Sequence, residues 1–240
     1  MGKYKKHEQS IANYTKAIEL DKHDIVSYYQ RALLYDELKD YDNAQADFLQ
    51  ITQLVSVGDQ YYEAAMYHLG NLYYKKELFR YDKVIESDGT DINAYISRSA
   101  LYENLKDYEK AILDYNKIIE LNEKDASAYE CRAALYQKQG NYKKAIADYD
   151  KVIALDGKNT EAYNTKAHLH EKLEEFEKAI DSYNNFIEIL NESSLENVEV
   201  LSVAYFNRAK VYKELKDNLR FQADYEKAIK LDPTLSNLGI

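Results

Sequence analysis

Shifting the sequence against itself by 34 residues superimposes its middle third, and this self-similarity limits the possible folds more than any other feature. Tyr95, Tyr102, Tyr108, Ala111, Tyr115 and Leu121 fall on Tyr129, Tyr136, Tyr142, Ala145, Tyr149 and Leu155. A second shift reaches Tyr163, His170, Phe176, Ala179, Tyr183 and Ile189. The spacing continues with slips at Tyr28, Tyr35, Tyr41, Ala44, Phe48 and Leu54, and again at Tyr205, Tyr212, Tyr225 and Leu231. A unit of this length cannot bury both of its faces alone, so repeated units must stack.

Within a unit, Tyr95, Arg98, Ser99 and Tyr102 recur at three to four residues, which predicts one face of a helix. Ala111, Ile112, Tyr115, Ile118 and Ile119 predict a second helix, and the short polar break "NLKDY" turns the two antiparallel. Small residues at Ser99, Ala133, Ala167 and Ala209 on first helices, and at Ala111, Ala145 and Ala179 on second helices, let the backbones approach closely. Only seven glycines and one proline are present, which suits helices with brief loops better than many short strands.

The period and the pattern "AYECRAALYQKQGNYKKAIADYDKVIALD", with the closing "YEKAIKLDP", resemble the tetratricopeptide repeat family over nearly the whole chain. That resemblance implies an all-α, right-handed superhelix of helix hairpins whose first helices line a concave groove. It also implies a non-catalytic protein-binding scaffold. The expected organisation is one array over residues 1–240. A lone second helix occupies 1–24, and hairpins follow over 25–59, 60–91, 92–125, 126–159, 160–198 and 199–240.

Two irregularities interrupt the pattern. Eight residues separate Tyr73 from Tyr81 where thirteen separate Tyr102 from Tyr115, so the second helix of the 60–91 hairpin is short by five residues, or a segment is missing there. The stretch "ILNESSLENVEVLS" predicts an extended helix end followed by a polar loop. The outer hairpins have no polar terminal helices, so the array is expected to continue. It would do so as part of a larger regulatory or self-associating protein, or by packing on another copy.

Thirty-two Lys and Arg against 42 Asp and Glu give a net charge of −10, with no clustered basic patch, which argues against nucleic-acid binding. No apolar run is long enough to span a membrane and the start lacks a signal-peptide core, so a cytoplasmic location is expected. The single Cys131 excludes an internal disulfide framework. His168 and His170, two apart on a helix, point in different directions and do not share a metal. No phosphate loop, metalloprotease motif or nucleophile elbow occurs, so neither cofactor nor catalysis is expected.

Of the 25 tyrosines, 19 fall on the four repeating packing positions, Tyr73 among them. The others include Tyr29, Tyr67 and Tyr74, which lie on the face that lines the groove in the resembling family. They stand beside Leu33, Asn71 and Ile96, with Asp36, Glu37 and Glu103 one turn further on. This set predicts a site for a peptide or partner protein with a hydrophobic anchor and nearby Lys or Arg. Later groove positions such as Glu130, Gln137, His168, Glu171 and Lys210 are mixed in charge and define no single ligand. Family members that hold acidic chaperone tails use a clamp of Lys, Asn and Arg. No frame of this sequence supplies its lysines.

Overall fold

The computed structural model describes residues 2–192 and 198–238. Twelve α-helices and no strand occur among the described residues. They are α1 (Gly2–Leu20), α2 (Ile25–Glu37), α3 (Tyr41–Leu54), α4 (Gln60–Ser87), α5 (Ile92–Asn104), α6 (Tyr108–Leu121), α7 (Ala126–Lys138), α8 (Tyr142–Leu155), α9 (Thr160–Lys172), α10 (Phe176–Glu192), α11 (Val198–Glu214) and α12 (Asn218–Leu231). A 3-10 turn, Pro233–Leu238, follows. The chain divides into two compact units, residues 1–105 and 106–240.

Short polar turns define the helix ends. Asp24, Asp40, Asp59, Asp91, Asp107, Asp125, Asn159 and Asp217 each accept a backbone N–H from the first turn of the helix they precede. Where a helix turns back, the residue before the cap is left-handed: Lys39, Lys106, Glu174 and Lys216 at φ 57° to 61°, and Gly140 at φ 74°. The extended α10 ends at Glu192, in keeping with the predicted lengthening. The predicted loop at 193–197 lies outside the described residues.

In the first unit, α2 and α3 form a hairpin whose core includes Ala32 and Ala44, both fully buried, together with Phe48, Ile51, Ala65 and Leu72. In the second unit, α7–α8, α9–α10 and α11–α12 repeat this hairpin. Ala167, Ala179 and Tyr183 pack there against Phe186, Ile187, Ala204 and Val211.

The hairpin expected over 60–91 is absent. Its two halves form a single 28-residue helix, α4, which is about 42 Å long. At the turn position the other repeats carry Asp40, Asp107, Asn141, Glu175 or Asp217, whereas this one carries Leu78, which cannot cap a new helix. The stretch Lys75 to Phe79 is made of residues tolerated in a helix interior, and the eight residues after Phe79 are too few for an independently stable second helix. The five-residue shortfall thus removes the bend and not merely a turn of the second helix.

Tyr73 is corrected with it. Its counterparts pack against a returning helix; without one, Tyr73 is 62% exposed.

A second arrangement went unrecognised in the sequence. Arg31, Arg132 and Arg208, at the position read as part of an apolar stripe, each reach across their own hairpin to a buried aspartate 16 residues later. The paired distances are 2.7 and 2.8 Å to Asp47, 2.6 and 2.8 Å to Asp148, and 2.7 and 2.9 Å to Asp224. The remaining nitrogen donates to the preceding second helix, to Thr15, Asn116 and Asn184 respectively. Each guanidinium also lies 5.6–6.0 Å from the rings of the tyrosines before and after it, for example Tyr129 and Tyr136 around Arg132. In α9–α10 the pair is replaced by Lys166, which turns to Asp150 at 2.5 Å, and buried Ser182.

Candidate functional site

The predicted site residues all belong to the first unit and sit on α2, α4 and α5. Helices α2 and the first half of α4 run side by side, because residues 39 apart meet along them. The Tyr29 hydroxyl lies 3.2 Å from Nε2 of His68, and Lys75 donates to Asp36 at 2.5 Å. Leu33 and Leu72 belong to the same apolar cluster between these contacts.

Tyr29 is half-buried and not an open surface group. Its ring meets Phe48, Tyr61 and His68 edge-on at 5.6–6.0 Å, and His68 stacks flat on Phe48 at 4.9 Å. His68 was absent from the predicted set, yet it ties Tyr29 to the core and packs edge-on against Tyr67 at 5.6 Å. Burial pulls the His68 imidazole below its usual range, against the opposing charge of Asp36. Its neutral form is therefore the one that meets Tyr29.

Tyr67 is 69% exposed and Ile96 is exposed, whereas Asn71 and Tyr74 are half-buried, Tyr74 packing edge-on against Tyr73. The acidic rim is partly engaged. Asp36 is paired with Lys75, while its Oδ1 is buried without a hydrogen-bond partner. Glu37 lies 3.5 Å from His7, and Glu103 is half-buried. The arrangement offers aromatic and apolar area at Tyr67 and Ile96, while the Asp36 carboxylate is mostly buried.

In the second unit, His168 and Glu171, two of the groove positions of mixed charge, form a small network with Tyr183. His168 lies 3.2 Å from Glu171 and 2.9 Å from the Tyr183 hydroxyl, which donates to Glu171. Burial works against the Glu171 carboxylate, but the bonds from His168 and Tyr183 prevail and hold it below its usual range. The hydroxyl of fully buried Tyr183 is pushed well above its usual range by burial and by that carboxylate. His170 is buried and bonded to Glu175 at 2.7 Å, a structural use. Cys131 is exposed. Among the described residues no three metal-binding side chains converge, and no helix is long and apolar enough to cross a membrane.

Comparison with known proteins accounts for the architecture. Models described as tetratricopeptide repeat match residues 13–46, 92–125, 126–159, 160–189 and 202–235. These matches leave out 47–91, where α4 runs through its missing turn. No curated protein matches. Among solved structures, the chain is similar to the C-terminal part of a TPR repeat-containing protein from Cytophaga hutchinsonii. That pair shares 22% identity with a TM-score of 0.58, over 97% of this chain and 93% of that one. It is also similar to MamA, at 18% identity and TM-score 0.56 over 76% and 98% of the two chains. A third is YrrB, titled a TPR protein with an unusual peptide-binding site, at 16% identity and TM-score 0.51 over 92% of each. At these identities the structures speak to fold. With all-α helix-turn-helix repeats and family matches over most of its length, the chain belongs to the tetratricopeptide repeat family.

Proposed function

We propose that the protein is a non-catalytic scaffold that binds a peptide or partner protein along the face shared by α2, α4 and α5, in the cytoplasm. The observation that carries this reading is Tyr67. It is a large side chain 69% exposed on α4, backed by the packed His68, Tyr29 and Phe48 rings. Burying an aromatic anchor of this kind gives an interface its main energy, because the cost of ordering it has already been met. Leu33, Asn71, Tyr74 and Ile96 extend the contact surface. Asp36, Glu37 and Glu103 form an acidic rim suited to Lys or Arg of the ligand. The peptide-binding site named for YrrB supports a similar use of the fold.

Selection from a displayed random-peptide library on the full chain tests this. Enriched peptides should pair a hydrophobic residue with Lys or Arg. They should bind a Tyr67→Ala/Tyr74→Ala variant at least tenfold more weakly, with its melting temperature unchanged. Equal binding to the variant would place the contact elsewhere, and a large drop in melting temperature would show these tyrosines to be core.

A further inference from the structure

The segment that follows α12 rests on its hairpin through a single side chain. Of residues 233–237, Pro233, Thr234, Ser236 and Asn237 are exposed and only Leu235 is buried. Its hydrogen bonds are local. The Leu235 N–H donates to the Asp232 carbonyl, Thr234 donates its N–H and its hydroxyl to the Asp232 carboxylate, and Ser236 donates to the Pro233 carbonyl. None of these bonds ties the 3-10 turn to α11 or α12, so the Leu235 contact holds it there.

Leu235 forms one buried apolar cluster with Phe206 and Ala228, against which Tyr205, Tyr225 and Ile229 pack. By the repeat spacing that equates Tyr205 with Tyr129, the counterparts of Phe206 and Leu235 are Glu130 and Asn159. There the contact is polar: Asn159 caps α9 and donates to Glu130 at 2.9 Å. Leucine cannot cap a helix, and a 3-10 turn stands where Asn159 leads into α9. Phe206 also shares its repeat position with Ile96, which is 43% exposed; in the cluster with Leu235 the larger Phe206 ring is only 7% exposed. The floor beneath Leu235 has supports of its own. The Phe206 ring lies 6.3 Å from that of Tyr225, Tyr225 stacks on Phe221 at 5.7 Å, and Ala228 is fully buried.

We infer that Phe206, Tyr225 and Ala228 floor a leucine-binding pocket that residues 233–238 occupy in cis, and that a partner segment with the same Asp-Pro-x-Leu pattern enters when they are displaced. The present occupant specifies the guest. Pro233 fixes the backbone at the start of the turn and Asp232 holds Thr234, so the leucine is delivered on a short, preorganised segment. Because it is tethered, Leu235 competes at a high effective concentration, and a free segment of equal contact chemistry binds only against that advantage. Phe206 is thereby an aromatic anchor of the second unit that is kept covered until the segment is displaced. The pocket is built on α11 and α12 alone and shares no residue with the Tyr67 surface of the first unit.

A fluorescein-labelled peptide with the sequence of residues 232–238, titrated with the full chain, tests this. It should bind the Leu235→Ala chain saturably and the wild-type chain at least tenfold more weakly. The same peptide carrying Leu235→Ala should bind neither. A second measurement uses the wild-type chain, isotopically labelled at its leucine methyl groups. Excess peptide should move the Leu235 methyl resonances out of the ring currents of Phe206 and Tyr225 to the positions of a disordered leucine, while those of buried Leu190 stay in place. The Tyr67→Ala/Tyr74→Ala chain should bind the peptide as the wild type does, so failure here leaves the first-unit reading untouched. No saturable binding to the Leu235→Ala chain, equal binding to both chains, or Leu235 resonances that stay in place at saturation would overturn the proposal. So would a loss of melting temperature from Leu235→Ala as large as that from Ile187→Ala, because the segment would then be core and not an occupant.

Discussion

The Arg132–Asp148 pair shows how much of the hairpin depends on a buried charge. Their side chains are 17% and 6% exposed, so the pair is not the solvated kind whose median value is near zero. Asp148→Ala removes two charge-assisted bonds and leaves the guanidinium among Tyr129, Tyr136 and Asn116 without its counter-charge. Breaking one side of such a pair costs about 3–5 kcal/mol. Replacing both partners with apolar residues, Arg132→Met with Asp148→Leu, should recover most of that loss, because no charge is then stranded. The α9–α10 hairpin already departs from the pair, with Lys166 turned to Asp150 and a serine at 182. Urea unfolding followed by circular dichroism measures both variants. The exposed Lys117–Glu120 pair, broken by Glu120→Ala, serves as the reference for a solvated pair. If Asp148→Ala costs no more than Glu120→Ala, or if the double variant is worse than the single one, the hairpin is held by packing alone.

His68 gives a pH dependence of defined sign. Its folded-state value lies below the ordinary one near 6.5, so the unfolded chain takes up the proton first. The stabilisation is complete above about pH 6.5 and is lost as pH falls through the lowered folded value. His68→Phe should flatten that part of the stability profile in urea titrations between pH 7.5 and 5, whereas an unchanged slope would assign it to another group. The missing turn can be rebuilt by changing Glu77 to Gly and Leu78 to Asp and inserting the five residues 109–113 between Phe79 and Arg80. The α4 region should then split into two helices and Tyr73 should become protected from nitration by tetranitromethane. Continued reactivity would show that more than the turn was lost.

The 34-residue period announces the helices and the close contacts at Ala111, Ala145 and Ala179 because small residues at fixed spacing are a local signal. The arginine pairs were present in the same alignment as Arg followed by Asp 16 residues later. They were missed because a charged residue on a buried face reads as an exception until its partner across the turn is known. The fate of α4 depended on Leu78, which supplies no cap, together with the eight residues after Phe79, which are too few for a second helix. Counting residues between tyrosines detected the shortfall but could not choose between a short second helix and a missing segment, and it did not raise the loss of the bend itself. Among the site residues, exposure at Tyr67 and Ile96 follows from helical phase. The engagement of Tyr29 was not visible, because His68 lies 39 residues away on another helix.

The left-handed turn residues have a consequence for how each bend is maintained. Four of the five are Lys or Glu, which pay about 1 kcal/mol more than glycine for that backbone conformation. Local chemistry at these junctions is therefore divided: the aspartate cap asks the helix to stop, and the residue before it resists turning. Contacts made far along the chain settle the contest, and α4 shows the outcome when the cap is withdrawn. Among the described residues, each hairpin is thus a bend kept by packing as well as by its cap.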